Sequence, residues 1–265
     1  MSSPLSDKTI FITGSGGVLG TAYVSTLLDN GATVVASDLP GHRADAMKER
    51  FGTYANFVYY DLDVSNEEEI EAIFKKVQTD GLNPNVVLNN AAITGELLMG
   101  AGKPFPDFAN TSVQDWEKTM RVNLTGAFMI TRQMDRDIVG KYPAQLINVA
   151  SMYALNGPHH PIYEGMPFKS FSAYSATKAG IHGLTLWLAG YWAKRDCTVN
   201  TIAPGVYRSN YPTSARIKRL KRQGMNMILS LRGQFDGAFN ALERDACERH
   251  GVALTSDPRH VFGHV

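Results

Sequence analysis

Apolar and polar positions along the first 203 residues form blocks that predict strands and helices in turn. Six short runs rich in Val, Ile, Leu and aromatic residues have the composition of buried strands. Helical patterns separate them, and this alternation indicates an α/β fold, a parallel doubly wound β-sheet flanked by helices. The predicted strands span residues 9–13, 33–37, 57–62, 85–89, 145–150 and 197–203.

The predicted helices are marked by capping residues and by one internal break. Ser65, Asn66, Glu67 and Glu68 open an acidic, capped helix that runs to residue 78. Helices are also predicted at residues 21–30, 113–138 and 174–194. Thr111 and Ser112 cap the helix at 113–138, and residues 123–126, Asn-Leu-Thr-Gly, interrupt it. Because Gly in a helix interior costs about 1 kcal/mol relative to Ala, we expect the break to free backbone and amide groups that hold a water.

Length and composition bound the class of protein. A chain of 265 residues with 44% hydrophobic content can bury one sizeable core. Two cysteines, Cys197 and Cys247, cannot build a disulfide framework, which predicts a reducing compartment, the cytoplasm. The first eight residues lack an apolar leader, and nowhere do 18 apolar residues run together, so neither a signal peptide nor a membrane partner is expected.

The net charge of +1 is unevenly distributed, because residues 216–222 carry five cations in seven positions. Such a run could form a lid that captures an anionic substrate, touch nucleic acid or a membrane, or be a solvated helix face, the commonest case. No aromatic residues interleave with it, so the sequence predicts no nucleic-acid partner.

The first predicted strand passes directly into a glycine-rich turn and then a helix. Glycines let a backbone approach a pyrophosphate, which then lies on the amides at the helix N-terminus. The alternative is a tight turn that merely packs helix on strand. The predicted cofactor contacts in this turn are Gly14, Ser15, Gly17, Leu19 and Gly20.

Asp38, 18 residues after Gly20, ends the second strand, where a carboxylate can accept hydrogen bonds from ribose hydroxyls and would repel a 2′-phosphate. The predicted cofactor is therefore NAD rather than NADP, with Arg43 interpreted as a surface residue. Asn90 and Ala91 follow the fourth strand, where small residues leave room for a flat ring system.

Tyr174 and Lys178 lie four residues apart, on one face of a predicted helix. A nearby ammonium favours the phenolate and should lower the tyrosine pKa, so that the phenol can exchange a proton with an alcohol or carbonyl oxygen. Taken alone, this spacing often occurs by chance.

These motifs in this order resemble the short-chain dehydrogenase/reductase family, over roughly residues 6–209. The resemblance implies a single-domain Rossmann-like fold, NAD binding and a tetrad of Asn123, Ser151, Tyr174 and Lys178. Tyr174 would be the acid/base, Ser151 would hydrogen-bond the substrate oxygen, Lys178 would lower the Tyr174 pKa and hold the nicotinamide ribose, and Asn123 would position a water. It also implies adenine contacts from Asp63 and Val64 and further cofactor contacts at Pro204, Gly205 and Ser209.

The sequence departs from the family pattern in three places. Val18 stands where the family usually has a glycine, with Gly17 one place early. Ser151 and Tyr174 are 23 residues apart instead of about a dozen, so residues 156–171 form an apparent insertion. Residues 210–265 show no strand run and read as a divergent substrate lid or helical tail of the domain formed by residues 1–209.

The insertion carries His159, His160, Tyr163 and Glu164. Such side chains suit a polyhydroxylated substrate, with His160 and Tyr163 as predicted contacts. The alternative is a solvated loop. A metal site is not expected, because adjacent histidines splay apart and no third ligand is evident. The polar loop at residues 93–110 could likewise cover part of the site or be surface.

The leading functional hypothesis is an NAD-dependent oxidoreductase acting on a polar secondary alcohol or ketone, possibly sugar-like. The rivals are an NADP-linked reductase of acyl or apolar ketones and a nucleotide-binding protein without catalysis. The resemblance implies that the helices at 113–138 and 174–194 join subunits in a homodimer or homotetramer, and Trp187, Tyr191 and Trp192 suit such an interface.

Overall fold

A computed structural model describes residues 3–100, 105–158, 160–163, 169–205, 227–229, 248–249 and 253–255. The chain divides into two compact units. Ser6–Pro204 forms the larger unit, and Met1–Leu5 with Gly205–Val265 forms the smaller one. The basic run at residues 216–222 lies outside the described residues.

The larger unit is built on a six-stranded parallel sheet, as the sequence predicts. The strand order is β3-β2-β1-β4-β5-β6. The first three strands are laid down toward one edge of the sheet and the next three toward the other, so the order of strands switches between β1 and β4. In open α/β sheets, ligands bind at the carboxyl ends of the strands beside such a switch. The strands are β1 Thr9–Thr13, β2 Thr33–Asp38, β3 Phe57–Asp61, β4 Val86–Asn89, β5 Ala144–Val149 and β6 Cys197–Ile202.

Seven α-helices accompany these strands within the described residues. They are α1 Val18–Asp29, α2 His42–Phe51, α3 Glu67–Thr79, α4 Gly95–Met99, α5 Val113–Met120, α6 Ala127–Asp137 and α7 Ser172–Tyr191. As predicted, Asn66 caps α3, accepting hydrogen bonds from the amides of Glu68 and Glu69. Ser112 caps α5 by accepting one from the Asp115 amide. Helices α2 and α4 were not predicted from the sequence.

The helix predicted at residues 113–138 is broken where its sequence indicates. A turn of π-helix, Arg121–Gly126, joins α5 to α6. Gly126 is needed there, because a β-carbon at that position would lie 2.8 Å from the Val64 carbonyl oxygen. This close approach brings the π turn against the segment that follows β3.

The core lies between the sheet and its helices. Strands β4 and β5 are buried along their whole length, as expected for a parallel sheet covered on both faces. One cluster joins Phe11, Val35 and Val87 of the sheet to apolar residues of α3 and α6. No helix in the described part of the chain is long and apolar enough to cross a membrane.

Trp192 belongs to this core and not to an exposed face. It is 1% exposed, and its indole N–H donates to Asp135 Oδ1 at 2.9 Å. Arg195 donates to the same oxygen at 2.6 Å. The expectation that Trp192 serves a subunit contact is therefore wrong, whereas Trp187 and Tyr191 are exposed and stack at 4.7 Å between ring centroids.

The smaller unit contains a short parallel pair of strands, β7 Met227–Leu229 and β8 Ala253–Thr255. The expectation of no strand in residues 210–265 is wrong at these positions. Each strand has only three residues, too few to show a period in the sequence.

Candidate active site

The glycine-rich turn between β1 and α1 is packed against the end of β4. Gly14 has φ +66°, and a β-carbon there would lie 2.6 Å from Ala91 Cα. A β-carbon at Gly20 would lie 2.2 Å from the Gly14 carbonyl oxygen. Only glycine fits at these two positions, so the turn holds its shape by close backbone approach.

The same turn has the properties of an anion cradle. The N-cap of α1 is Gly17, which has no side chain to cap the helix amides. The first turn of the helix carries no acidic residue. The first N–H groups of a helix have no intrahelical partner and attract anions. The buried Ser15 hydroxyl also finds no hydrogen-bond partner among the described residues. These features fit a bound pyrophosphate; Leu19 lies in the same first helical turn and is partly exposed.

Asp38 closes one side of this cradle. Its Oδ2 accepts a hydrogen bond from the Gly16 amide at 2.8 Å, and its Oδ1 accepts one from the Leu39 amide at 2.8 Å. Arg43 lies against the same turn, because a β-carbon at Gly16 would be 2.9 Å from Arg43 Cβ. Arg43 is partly exposed, so it is a surface residue that also packs on this turn.

Asn90 and Ala91 tie the turn to the sheet. The Asn90 side-chain amide donates to the carbonyls of Thr13 and Gly14, at 3.1 and 2.8 Å. The Thr13 hydroxyl accepts from the backbone amides of both Asn90 and Ala91 at 3.1 Å. The predicted ring-binding residues therefore also hold the phosphate turn in register with β4.

The other predicted cofactor contacts are spread over two further loops. Asp63 accepts hydrogen bonds from the Ser65 amide and hydroxyl, and Val64 is buried beside Gly126. Pro204 accepts a hydrogen bond from the Met152 amide at 3.0 Å, which joins the end of β6 to the segment after β5. Gly205 is half-buried, and Ser209 lies outside the described residues.

Ser151 and Tyr174 meet at the carboxyl end of β5. Ser151 follows the strand and opens a short 3₁₀ turn, Met152–Ala154, with its Oγ accepting from the Tyr153 amide at 3.2 Å. Tyr174 lies in the first turn of α7, and its phenol hydrogen-bonds the Ser151 side chain. The 23-residue separation in sequence thus does not keep the two hydroxyls apart.

Lys178 lies one helical turn further along α7. Its side chain is 3% exposed, and Nζ donates to the Val149 carbonyl at 2.6 Å. Nζ lies 5.7 Å from the centre of the Tyr174 ring. Burial lowers the pKa of Lys178 to about 8, so the ammonium remains charged at neutral pH.

The pKa of Tyr174 is raised, not lowered as the sequence pattern predicts. Burial is the largest cause; the hydrogen bond with Ser151 opposes it, and the nearby Tyr153 and Glu96 add to the rise. The helical spacing of Tyr and Lys reveals their proximity but not their loss of hydration, and that loss has the larger effect on the Tyr174 pKa.

Asn123 is buried within the π turn and uses its side chain to hold a loop. Its Oδ1 accepts from the Ile93 amide at 2.7 Å, and its Nδ2 donates to the Ile93 carbonyl at 3.0 Å. The side-chain amide of Asn123 is thus engaged by Ile93, and a water held by the backbone groups of the break stays a prediction. Asn123 fastens the segment after β4 to the helix beside α7.

Part of the inserted stretch reaches the catalytic groups. The Tyr163 phenol lies 2.6 Å from the Tyr153 phenol, oxygen to oxygen; burial is the largest cause of the raised pKa of Tyr163, and the nearby Tyr174 adds slightly to the rise. His160 is exposed at the start of the same 3₁₀ turn, His160–Tyr163. His159 and Glu164 lie outside the described residues. Among the described residues no group of three candidate metal ligands occurs.

The segment after β4 also contributes to this region through α4, which the sequence analysis did not predict. A β-carbon at buried Gly95 would lie 2.4 Å from the Phe105 ring and 3.3 Å from Phe171 Cβ. Phe171 is buried and directly precedes α7. The described part of this loop therefore packs beside the catalytic helix, which favours a covering role over a plain surface loop.

Comparisons with known proteins agree with this architecture. A family model described as short chain dehydrogenase matches residues 8–220. The 3-oxoacyl-[acyl-carrier-protein] reductase FabG of Aquifex aeolicus is 31% identical over 275 aligned positions, which cover 99% of each chain. The acetoacetyl-CoA reductase of Cupriavidus necator is 25% identical, over 85% of this chain and 83% of that one.

A solved short chain dehydrogenase from Leptospira borgpetersenii with bound NAD⁺ is similar in structure, with a TM-score of 0.64 and 27% identity over 79% of this chain and 75% of that chain. The six-stranded parallel sheet flanked by helices is the fold that the resemblance implies. This protein therefore belongs to the short-chain dehydrogenase/reductase family, and is an NAD(P)-dependent oxidoreductase acting on CH–OH groups.

Proposed function

We propose that this enzyme interconverts a polar secondary alcohol and its ketone with NAD as the preferred cofactor. The observation that carries the proposal is the arrangement of Ser151, Tyr174 and Lys178 at the carboxyl end of β5, beside the phosphate cradle. The nicotinamide cofactor supplies the hydride chemistry when bound, and the protein supplies orientation and proton transfer.

In this proposal the Tyr174 phenol exchanges a proton with the substrate oxygen. The Ser151 hydroxyl hydrogen-bonds the same oxygen. Because the Tyr153 amide already donates to Ser151 Oγ, the serine hydroxyl proton can be directed at the substrate. Two hydroxyls converging on one oxygen fix its position and stabilise charge that develops there.

Lys178 supports the phenolate form of Tyr174 by Coulomb attraction. Its ammonium is buried and fixed by the Val149 carbonyl, so it needs no reorganisation when charge develops on the phenol. We also propose that Lys178 contacts the nicotinamide ribose. The proposed contacts of the cofactor with the glycine-rich turn are Gly14, Ser15, Gly17, Leu19 and Gly20.

The preference for NAD rests on the charges at the end of β2. Burial is the largest cause of the raised pKa of the Tyr59 phenol, and the charges of Asp38, Asp61 and Asp45 add to the rise, so three carboxylates share this corner. Their field opposes a ribose 2′-phosphate. Lys48 lies 3.6 Å from Asp61 and offsets one of the three charges.

A second candidate is an NADP-linked reductase of acyl ketones. Two observations favour it. The FabG and acetoacetyl-CoA reductase relatives are described as reductases of such ketones, and the partly buried Arg43 lies beside Gly16, where its guanidinium could bind a phosphate. Asp38 stands against it, because its carboxylate contacts the same glycine.

The polar character of the substrate is proposed from the Tyr153–Tyr163 phenol pair next to the reacting hydroxyls. A site built of hydroxyls rejects analogues that leave those groups unpaired. His160 is assigned to the same substrate-binding stretch on its position alone.

We also propose a homodimer or homotetramer. Trp187 and Tyr191 stack on the exposed side of α7, with 62% and 56% of their surface accessible, and Phe128 of α6 is 43% exposed. Large exposed aromatic residues on the two expected helices suit an interface core.

The test is to follow reduced-nicotinamide absorbance with NAD and with NADP against a panel of polyols, hydroxy-acids, hydroxy-steroids and 3-hydroxyacyl thioesters. The proposal predicts NAD-dependent turnover of a polyol or similar alcohol. NADP-dependent turnover of the thioesters alone would favour the second candidate and overturn the first.

A further inference from the structure

Buried polar side chains of β4 and β5 form a chain of hydrogen bonds that ends on the catalytic helix. Asn89 and Asn148 are register partners on these neighbouring strands, 6% and 0% exposed. The Asn89 side-chain amide donates to Asn148 Oδ1 at 2.9 Å. The Asn148 amide donates in turn to Thr185 Oγ1 of α7, also at 2.9 Å. Both ends of the Asn148 side chain are therefore paired, and its bond to Thr185 joins β5 directly to α7.

Lys178 makes a second bond between the same strand and the same helix. Its Nζ donates to the carbonyl of Val149, the residue that follows Asn148 along β5. Thr185 comes seven residues after Lys178, about two helical turns, so the two side chains lie on one face of α7. The ammonium and the Thr185 hydroxyl thus contact consecutive residues of one strand.

The bond to Thr185 fixes the position of α7 along β5 in a way that apolar packing does not. Between Lys178 and Thr185 the helix buries Ile181 against two alanines, Ala127 and Ala150. Apolar burial is non-directional, whereas a hydrogen bond has a preferred length and angle. A shift or rotation of α7 on β5 would break the bond and leave two buried polar groups unpaired, which is costly. That cost opposes any displacement of the helix and of the ammonium it carries.

We propose that the hydrogen bond between Asn148 and Thr185 positions Lys178 for its part in the reaction. The bond holds α7 against β5, so that Nζ stays on the Val149 carbonyl and 5.7 Å from the centre of the Tyr174 ring. Both partners are buried and act through Lys178. The inference rests on the proposed function, in which Lys178 stabilises the Tyr174 phenolate, and it adds two positioning residues to that reaction.

Thr131 of α6 offers a matched control for Thr185. The two are 2% and 5% exposed, and each donates to the carbonyl four residues earlier in its own helix. Thr131 Oγ1 also accepts from an asparagine of the same chain of bonds, Asn89, at 3.1 Å. Thr131→Val and Thr185→Val therefore remove the same group from equivalent surroundings, but only Thr185 lies on the helix that carries Lys178.

The test is the rate at which formaldehyde and dimethylamine–borane methylate Lys178 in the cofactor-free protein. Peptide mass spectrometry follows the reaction, with the exposed Lys194 as the internal reference. Thr185→Val should raise the rate at Lys178 by about two- to tenfold, the factor for one net hydrogen bond lost from a local opening. Thr185→Ser keeps the hydroxyl and should restore the slow rate. Thr131→Val should lose similar stability in urea and leave the rate at Lys178 unchanged.

Turnover with NAD and the best alcohol of the panel gives a second readout. Thr185→Val should lower kcat by about three- to tenfold with KM nearly unchanged, a smaller loss than the roughly hundredfold that 1 Å of misplacement can cost. Thr131→Val should leave both constants unchanged.

The two readouts separate this inference from the proposed function. Faster methylation of Lys178 in Thr185→Val, without turnover of any alcohol by the unmodified enzyme, would support the positioning and overturn the proposed reaction. Methylation that Thr185→Val leaves unchanged, or that Thr131→Val accelerates equally, would overturn the positioning. So would a Thr185→Val enzyme that retains its full kcat.

Discussion

Replacing Lys178 by methionine should make the free energy of unfolding of the cofactor-free protein less dependent on pH. The same change should remove the enzyme's activity. Burial lowers the Lys178 pKa from 10.5 to about 8. At 1.36 kcal/mol per unit, the buried charge costs about 3 kcal/mol of folding stability at pH 7. The variant loses this cost but also leaves the Val149 carbonyl without its donor, which costs about 1–3 kcal/mol. At pH 7 the two changes nearly cancel.

The pH dependence isolates the charge. Below pH 8 both the folded and the unfolded chain hold the Lys178 proton, so the full cost of burial is present. Between pH 8 and 10.5 the unfolded chain binds the proton and the folded chain does not, so wild-type stability rises with pH. From pH 7 to pH 9.5 the wild type should gain about 2 kcal/mol relative to Lys178→Met.

The assay is urea unfolding of both proteins without cofactor at pH 7 and pH 9.5, at constant ionic strength, followed by tryptophan fluorescence and circular dichroism. Lys194→Met serves as the control, because Lys194 is exposed just beyond the same helix. Its stability difference from the wild type should stay constant. If the stability difference between Lys178→Met and the wild type were also the same at pH 7 and pH 9.5, the conclusion that burial of the Lys178 ammonium costs stability would be refuted.

Three further predictions concern the cofactor, the subunits and the insertion. Asp38→Ser should narrow the preference for NAD over NADP in kcat/KM, and equal use of both cofactors by the unmodified enzyme would contradict the assignment. Trp187→Ser with Tyr191→Ser should weaken association measured by light scattering, and a wild type that is monomeric at micromolar concentration would exclude the proposed contact. His160→Ala with Tyr163→Phe should lower kcat/KM for a polar substrate, by about 1–3 kcal/mol per unpaired group, with NAD affinity unchanged. Unchanged kinetics would mean that this stretch does not bind substrate.

The sheet was predictable because its strands carry continuous apolar runs. β1 begins and ends where the pattern places it, and the other five strands agree within one residue at each end. Helix α2 was missed because it is mostly polar and buries only Ala44, Met47 and Phe51. Helix α4 was missed because its five residues are too few to show a helical period.

The candidate site was predictable in its residues but not in its electrostatics. Ser151 follows a predicted strand, and Tyr174 opens the predicted helix that also carries Lys178. Their pKa shifts depend on burial, which sequence spacing does not report, so the direction for Tyr174 was wrong. The contact of Asn123 with Ile93 depends on tertiary packing of the segment after β4, which the sequence pattern does not report.

The central claim, that Tyr174 is the acid/base, is tested most directly by Tyr174→Phe. The variant keeps the ring and loses only the transferable proton. With the best alcohol of the panel, kcat should fall by about 10²–10⁴-fold, the range for general acid–base catalysis. NAD affinity should change little. Tyr191→Phe, which removes an exposed phenol from the same helix, should leave both unchanged. A Tyr174→Phe enzyme that retains most of its kcat would contradict the account.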